Sequence, residues 1–216
     1  MRDRVMRMEL FFIGGGHVLK GELNDVLEEL ECKINPNAKV LIIPFATDES
    51  RYDSWMESMR QAFARIPNVT LGLLHEELSK EKMVTMIQAY DVLYFIGGQP
   101  ERLLQVILDK ELTGTISSFP GLMIGYSAGA LAFCTDCILT KDEDYPDTII
   151  LQGLGLVDFS VEVHYRPESD DELLTLSKGR TIYALPDGSA IFYKDGNIDT
   201  RVNNIITFEN SNKSIV

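Results

Sequence analysis

The chain has 216 residues, 45% hydrophobic and 25% charged, with a formal net charge of -13. This composition predicts one globular domain over residues 1–216 with a sizeable core. The acidity argues against nucleic acid and anionic membrane surfaces as partners, because both need clustered Lys and Arg.

No apolar run approaches the roughly 18 residues of a bilayer span. The basic start Met1-Arg2-Asp3-Arg4 leads only into the short apolar block Leu10 to Ile13, too brief for a signal peptide, so a cytoplasmic location is expected. Cys32, Cys134 and Cys137 fit a reducing compartment. The lone Cys134-x-x-Cys137 lacks the further ligands that zinc requires, so it is expected to be structurally buried.

Met8 to Ile13 reads as a strand ended by the permissive loop Gly14-Gly15-Gly16. Leu23, Val26, Leu27 and Leu30 recur at helical spacing. Lys39 to Phe45 is a second apolar strand, broken at Pro44, and Trp55, Met59, Ala62, Phe63 and Ile66 mark another amphipathic helix. Val69 to Leu74 is a third strand. Ser79 caps a helix carrying Met83 and Ile87, and Val92 to Ile96 is a fourth strand ending at Gly97-Gly98. Pro100 suits the first turn of the next helix. The alternation of helices with near-continuous apolar strands predicts a parallel sheet covered on both faces.

The stretch Gly121 to Phe133 combines an apolar strand, the turn Gly125-Tyr126-Ser127-Ala128-Gly129, and a small-residue helix start. G-x-S-x-G between strand and helix is the context of a nucleophile elbow, which lifts a serine hydroxyl above a sheet edge. The N–H of the next residue, Ala128, would face a developing oxyanion. Beyond it the pattern changes. Asp142 to Asp147 is an acidic loop, and Gln152 to Val157 a glycine-broken connector. Val161 to His164 is a strand end, and Glu168 to Leu176 a helix. Thr181 to Leu185, Ala190 to Lys194, Thr200 to Val202 and Ile205 to Phe208 are short strands.

A serine nucleophile needs a base. Of the three histidines, His75 lies in a polar stretch, and His17 follows the first glycine loop, where it could touch substrate. His164 alone follows the serine, at a strand end, and is the expected base. An α/β-hydrolase runs Ser, acid, His along the chain, so an ordinary member of that class is disfavoured. Asp187, in the Leu185-Pro186-Asp187-Gly188 turn, either orients His164 or simply makes the turn. Asp142, Asp144 and Asp147 are rivals if their loop folds over the site; otherwise they are a solvated acidic loop. Gly98, ahead of a helix, is the expected second oxyanion donor. No His/Cys/Asp cluster has ligand spacing, so no metal or cofactor is expected. The G-x-G-x-x-G pattern of dinucleotide binding fails at Leu19.

These residues together resemble the peptidase E (S51) family of serine peptidases, on the class I glutamine amidotransferase-like fold. The resemblance rests on Ile43-Pro44-Phe45-Ala46, Phe95-Ile96-Gly97-Gly98-Gln99, Gly125-Tyr126-Ser127-Ala128-Gly129-Ala130, Val163-His164-Tyr165 and Leu185-Pro186-Asp187-Gly188. It implies a three-layer, flavodoxin-like α/β sandwich with a mostly parallel sheet, Ser127 as nucleophile, His164 as base, and oxyanion donors at Gly98 and Ala128. The aspartyl dipeptidases of the family carry Glu where this chain has Asp187, and Asn where it has Leu131. A glutaminase of this fold would have Cys at Ser127 and Glu at Arg166.

The leading expectation is therefore a serine exopeptidase or dipeptidase acting on short peptides, aspartyl dipeptides among them. Gln99, Arg166 and His17 are expected on the substrate side, Arg166 as a cationic anchor. A homodimer is left open. The rival is a binding or partner protein that keeps the fold without catalysis.

Overall fold

The structure, a computed structural model, describes residues 8–215. The basic start Met1-Arg2-Asp3-Arg4 lies outside the described residues. Five strands run parallel: β1 (Glu9–Ile13), β2 (Lys39–Ile43), β3 (Thr70–Leu73), β4 (Val92–Phe95) and β5 (Leu122–Tyr126). Helices α1 (Asn24–Lys33), α2 (Tyr52–Ala62), α3 (Lys80–Gln88), α4 (Pro100–Asp109) and α5 (Thr113–Ser117) connect them. The strands read as apolar runs because both sheet faces are covered; Leu10, Phe11, Phe12, Val40, Leu41, Ile42 and Ile124 are almost wholly removed from solvent. Pro100 opens α4, and the Ser79 hydroxyl accepts the Lys82 N–H at the start of α3.

The sheet continues beyond the parallel set. Its order is β11-β10-β1-β5-β4-β2-β3, where β10 (Ala190–Lys194) and β11 (Asn197–Val202) are antiparallel additions beside β1. After β5, α6 (Ala128–Phe133) leads into a hairpin of β6 (Asp136–Leu139) and β7 (Ile149–Gln152). Sequence reading missed both strands, and the acidic loop is their connection. A second sheet has the order β13-β12-β9-β8. It comprises β8 (Ser160–Val163), β9 (Thr181–Leu185), β12 (Ile206–Glu209) and β13 (Asn212–Ile215), with α7 (Asp170–Leu176) between β8 and β9.

The parallel order brings the carboxyl ends of β1, β4 and β5 to one edge, where a doubly wound sheet places its ligands. β8 and β9 are parallel partners, with Val163 opposite Leu185, so their carboxyl ends finish side by side. Backbone hydrogen bonds join that end to the first glycine loop: His164 N–H to the Gly14 carbonyl (2.9 Å) and Gly188 N–H to the Gly15 carbonyl (2.9 Å). The two sheets thus meet at residues 14–16.

Candidate active site

The elbow is built as its residue types require. Ser127 has φ 49° and ψ -108°, a conformation L-residues seldom adopt and which marks strained functional positions. The chain can make this turn only by close packing. A Cβ on Gly125 would lie 2.6 Å from the Ala130 nitrogen, and one on Gly129 would lie 2.5 Å from the Phe95 carbonyl oxygen. Ser127 N–H donates to the Ile13 carbonyl, which ties the turn to β1.

Ser127 Oγ lies 2.9 Å from His164 Nε2. His164 Nδ1 in turn lies 2.7 Å from Asp187 Oδ1. His164 also has positive φ, 51°, so the chain reverses where the imidazole leaves β8. The His164 and Asp187 side chains are half-exposed, at 48% and 51%. Asp142, their rival from the acidic loop, is committed elsewhere: its Oδ1 accepts the N–H groups of Asp144 and Tyr145 and so shapes its own turn.

The first glycine loop does more than permit a turn. A Cβ on Gly15 would lie 2.2 Å from Asp187 Oδ1 and 2.3 Å from His164 Nδ1. Gly15 therefore backs directly onto the His–Asp pair. In sequence it stood only as a flexible loop residue, and nothing local announced this contact.

The dyad opens into a cleft of about 1030 Å³. Gly98 and Ala128 both line it. Neither of their N–H groups finds an acceptor among the described residues. Gly98 sits at φ 139°, where a Cβ would strike the Ala46 carbonyl oxygen at 2.2 Å. His17 and Arg166 reach the cleft. Gln99 does not line it. It caps α4 with its N–H held by the Ala46 carbonyl, while its neighbours Gly98 and Pro100 face the cleft.

Several lining residues had no sequence signal. Trp55 packs edge-on against Tyr126, whose hydroxyl donates to the Gly16 carbonyl at 2.8 Å. Burial, with the Asp187 and Glu22 charges, pushes the Tyr126 phenol up to about 12. The acidic loop flanks one side of the cleft while its acids stay exposed to solvent: Asp142, Glu143, Asp144 and Tyr145 all line it. Tyr145 holds the loop to α4 through both Glu101 carboxylate oxygens (2.9 and 3.1 Å). Glu162, two residues before His164, is 5% exposed and also reaches the cleft. Burial, joined by the charges of Glu172 and Asp142 and opposed by a Thr140 hydrogen bond, pushes its carboxyl up to about 8.

Away from the cleft, Glu49, His75 and Glu77 bring ligand-type atoms within 4.8 Å of one another at the exposed surface. This corrects the spacing argument against such a cluster. Glu49 comes from a different connection and folds beside His75, a proximity that linear spacing cannot reveal. Cys134 and Cys137 are buried free thiols, as expected, and burial raises the pKa of both. Among the described residues, no helix is long and apolar enough to cross a membrane.

Comparison with known proteins bears on the family and the fold. The family described as peptidase family S51 matches residues 10–201. Peptidase E of Nostoc sp. is 26% identical over 178 residues, covering 74% of this chain and 71% of its own length. Peptidase E of Salmonella paratyphi A is 22% identical over 192 residues, 82% of each chain. Among solved structures, a protein described as a candidate peptidase E from Listeria monocytogenes superposes with a TM-score of 0.69 at 21% identity, covering 94% of this chain and 98% of its own. A peptidase from an acI-B1 Actinobacterium superposes equally well at 18% identity, covering 98% of this chain and 94% of its own. These likenesses give the fold, that of peptidase E, class I glutamine amidotransferase-like. The match over nearly the whole described chain gives the family: this protein belongs to peptidase family S51, the serine peptidases of the peptidase E type.

Proposed function

We propose that the protein is a serine exopeptidase or dipeptidase that cleaves short peptides through an acyl-enzyme on Ser127. The observation that carries this reading is the continuous chain from Ser127 Oγ through His164 to Asp187, at 2.9 and 2.7 Å. His164 Nε2 takes the hydroxyl proton as Oγ attacks the scissile carbonyl, and Asp187 holds the imidazole in the required tautomer and stabilises the imidazolium. The N–H groups of Gly98 and Ala128 receive the negative charge on the carbonyl oxygen. His164 then protonates the leaving amine, and a water activated by the same nitrogen releases the acyl group.

Asp187 is shorter than the Glu of the family's aspartyl dipeptidases, yet its carboxylate reaches His164 Nδ1, so the substitution supports a triad rather than a dyad. Arg166 and His17 supply polar contacts at the cleft for peptide ends. The open, continuous cleft suits short peptides, and the whole chain acts as one domain.

A fluorophosphonate should label wild-type protein at Ser127, located by peptide mass spectrometry, and should fail to label Ser127→Ala. Labelling elsewhere, or dipeptide turnover unchanged in Ser127→Ala, would refute the assignment. In that event the alternative of a binding protein that keeps the fold, or of a different catalytic residue, takes its place.

A further inference from the structure

Glu162 is a buried acid without a cation. It sits on β8 with 5% exposure, in the same cleft as Ser127 and His164. Its one hydrogen bond comes from Thr140 Oγ1 to Oε1 at 2.7 Å; the other oxygen has no partner among the described residues. None of the ion pairs among those residues includes it. Keeping a carboxyl there is costly unless something charged or polar meets it.

The surroundings limit what that can be. Thr140 directly follows β6, and β6, β8 and α6 pack against one another. Their cleft-facing residues Leu131, Ile138 and Leu139 are apolar. Leu131 lies on the helix that Ser127 caps. The charges that act on Glu162 are those of Glu172 of α7 and Asp142 of the hairpin loop, both acids; the cations of the same cleft are Arg51, Lys141, next to Thr140, and Arg166. Strands β8 and β9 and helix α6 supply no cation, since none of them contains Lys, Arg or His. A cleft that sets the apolar Leu131, Ile138 and Leu139 beside a buried acid complements a long aliphatic stem ending in a positive charge, and Lys and Arg side chains have this form. An acidic side chain would meet like charge from Asp142 and Glu172.

We propose that Glu162 forms the base of a specificity subsite that takes the cationic end of a Lys or Arg side chain on the residue whose carbonyl Ser127 attacks. This rests on the reading of Ser127 as nucleophile and deepens it. Near neutral pH the carboxyl holds its proton. As the ammonium or guanidinium enters, that proton leaves to solvent and a charge-assisted pair forms. Preference for a basic residue over an uncharged one of similar length therefore grows as pH rises toward 8.5.

The test is isothermal titration calorimetry on Ser127→Ala, in which peptides bind without turnover. The probes are Lys-Leu, norleucyl-Leu and Asp-Leu. Lys-Leu should bind at least about tenfold tighter than norleucyl-Leu at pH 8.5, with a smaller margin at pH 6. Adding Glu162→Gln, which keeps the Thr140 partner and the volume, should cut the margin below about threefold while leaving norleucyl-Leu binding unchanged. Equal affinity for Lys-Leu and norleucyl-Leu, tighter binding of Asp-Leu, or no binding of Lys-Leu overturns the proposal. So does a Glu162→Gln loss shared by all three peptides, which marks a structural role. If the double variant does not fold, the Lys-to-norleucine ratio and its pH trend in Ser127→Ala alone still decide. Failure of the nucleophile reading registers separately, as absent fluorophosphonate labelling of the wild-type protein, which the calorimetry does not depend on.

Discussion

The proposed nucleophile, Ser127, and its proposed base, His164, are held in opposite ways. Ser127 leaves β5 in the middle of the large sheet, with β1 on one side and β4 on the other, and its turn is pressed into shape by contacts at Gly125 and Gly129. His164 leaves the edge strand of a small sheet and Asp187 the strand beside it, both half-exposed, and they are joined to the large sheet by a few backbone bonds at Gly14 and Gly15. The elbow is part of the core, whereas the His–Asp pair is docked onto it. Damage at the elbow should therefore cost stability and activity together, and damage at the dock should cost activity with the fold kept.

The largest effect is expected from removing the proposed base while sparing its backbone. Asn accepts positive φ, so His164→Asn should lower turnover by about 10⁴-fold or more with little change in the urea midpoint. A turnover loss under tenfold would show that the docked pair is not the base system.

At the elbow, Gly129→Ala drives a methyl onto the Phe95 carbonyl oxygen. It should destabilise by about 3 kcal/mol in urea unfolding, and activity should fall with it. A variant of native stability would mean that the elbow yields as easily as the dock.

Gly15→Ala gives the sharpest contrast, because its Cβ meets the side chains of Asp187 and His164 rather than core backbone. Displacing the imidazole by a fraction of an ångström should cut kcat by about 10²-fold, with a smaller stability loss than Gly129→Ala. Asp187→Asn should fall in the same range, since an amide can hold the wrong imidazole tautomer, and it should not shift the urea midpoint. Turnover within a few-fold of wild type would reduce Asp187 to a turn residue.

The smallest expected effect lies in Glu162 and pH. Its carboxyl is raised to about 8 in the folded protein, above the ordinary carboxylate value of the unfolded chain. The folded state therefore binds the extra proton between those values. The stability linked to it is present in acid and is lost as pH rises toward 8. Glu162→Gln cannot lose that proton. It should match wild type near pH 5 and exceed it by about 2.5 kcal/mol at pH 7 in urea unfolding. Equal pH profiles for the two proteins would mean that the buried carboxyl is ionised throughout.

The same contrast explains what could be read in advance. The parallel strands show as apolar runs because both faces are buried, and the elbow shows because its small residues are adjacent in sequence. Asp187 could be singled out as an acid in a turn after an apolar strand, downstream of the one usable histidine. The hairpin strand β7 escaped because it leaves Ile149 and Ile150 substantially exposed and so lacks a core signature, whereas β6 is buried but only four residues long. Glu162 in Val161-Glu162-Val163 reads as the outward residue of an alternating strand. Only the packing of β6 and α6 over it reverses that. The Gly15 contact with the His–Asp pair and the Glu49–His75–Glu77 proximity are long-range meetings without a local pattern.

The pairing of β8 with β9 carries one more consequence. With Val163 opposite Leu185, His164 and Asp187 each stand just past a fixed rung of the same ladder. Their separation is set by strand register and not by the 166–180 connection that includes α7. Natural or engineered insertions in that connection should leave the His–Asp geometry alone, so new surface or binding segments can be grafted there. A single inserted residue within β8 or β9 shifts one side chain relative to the other and turns the imidazole away from its acid.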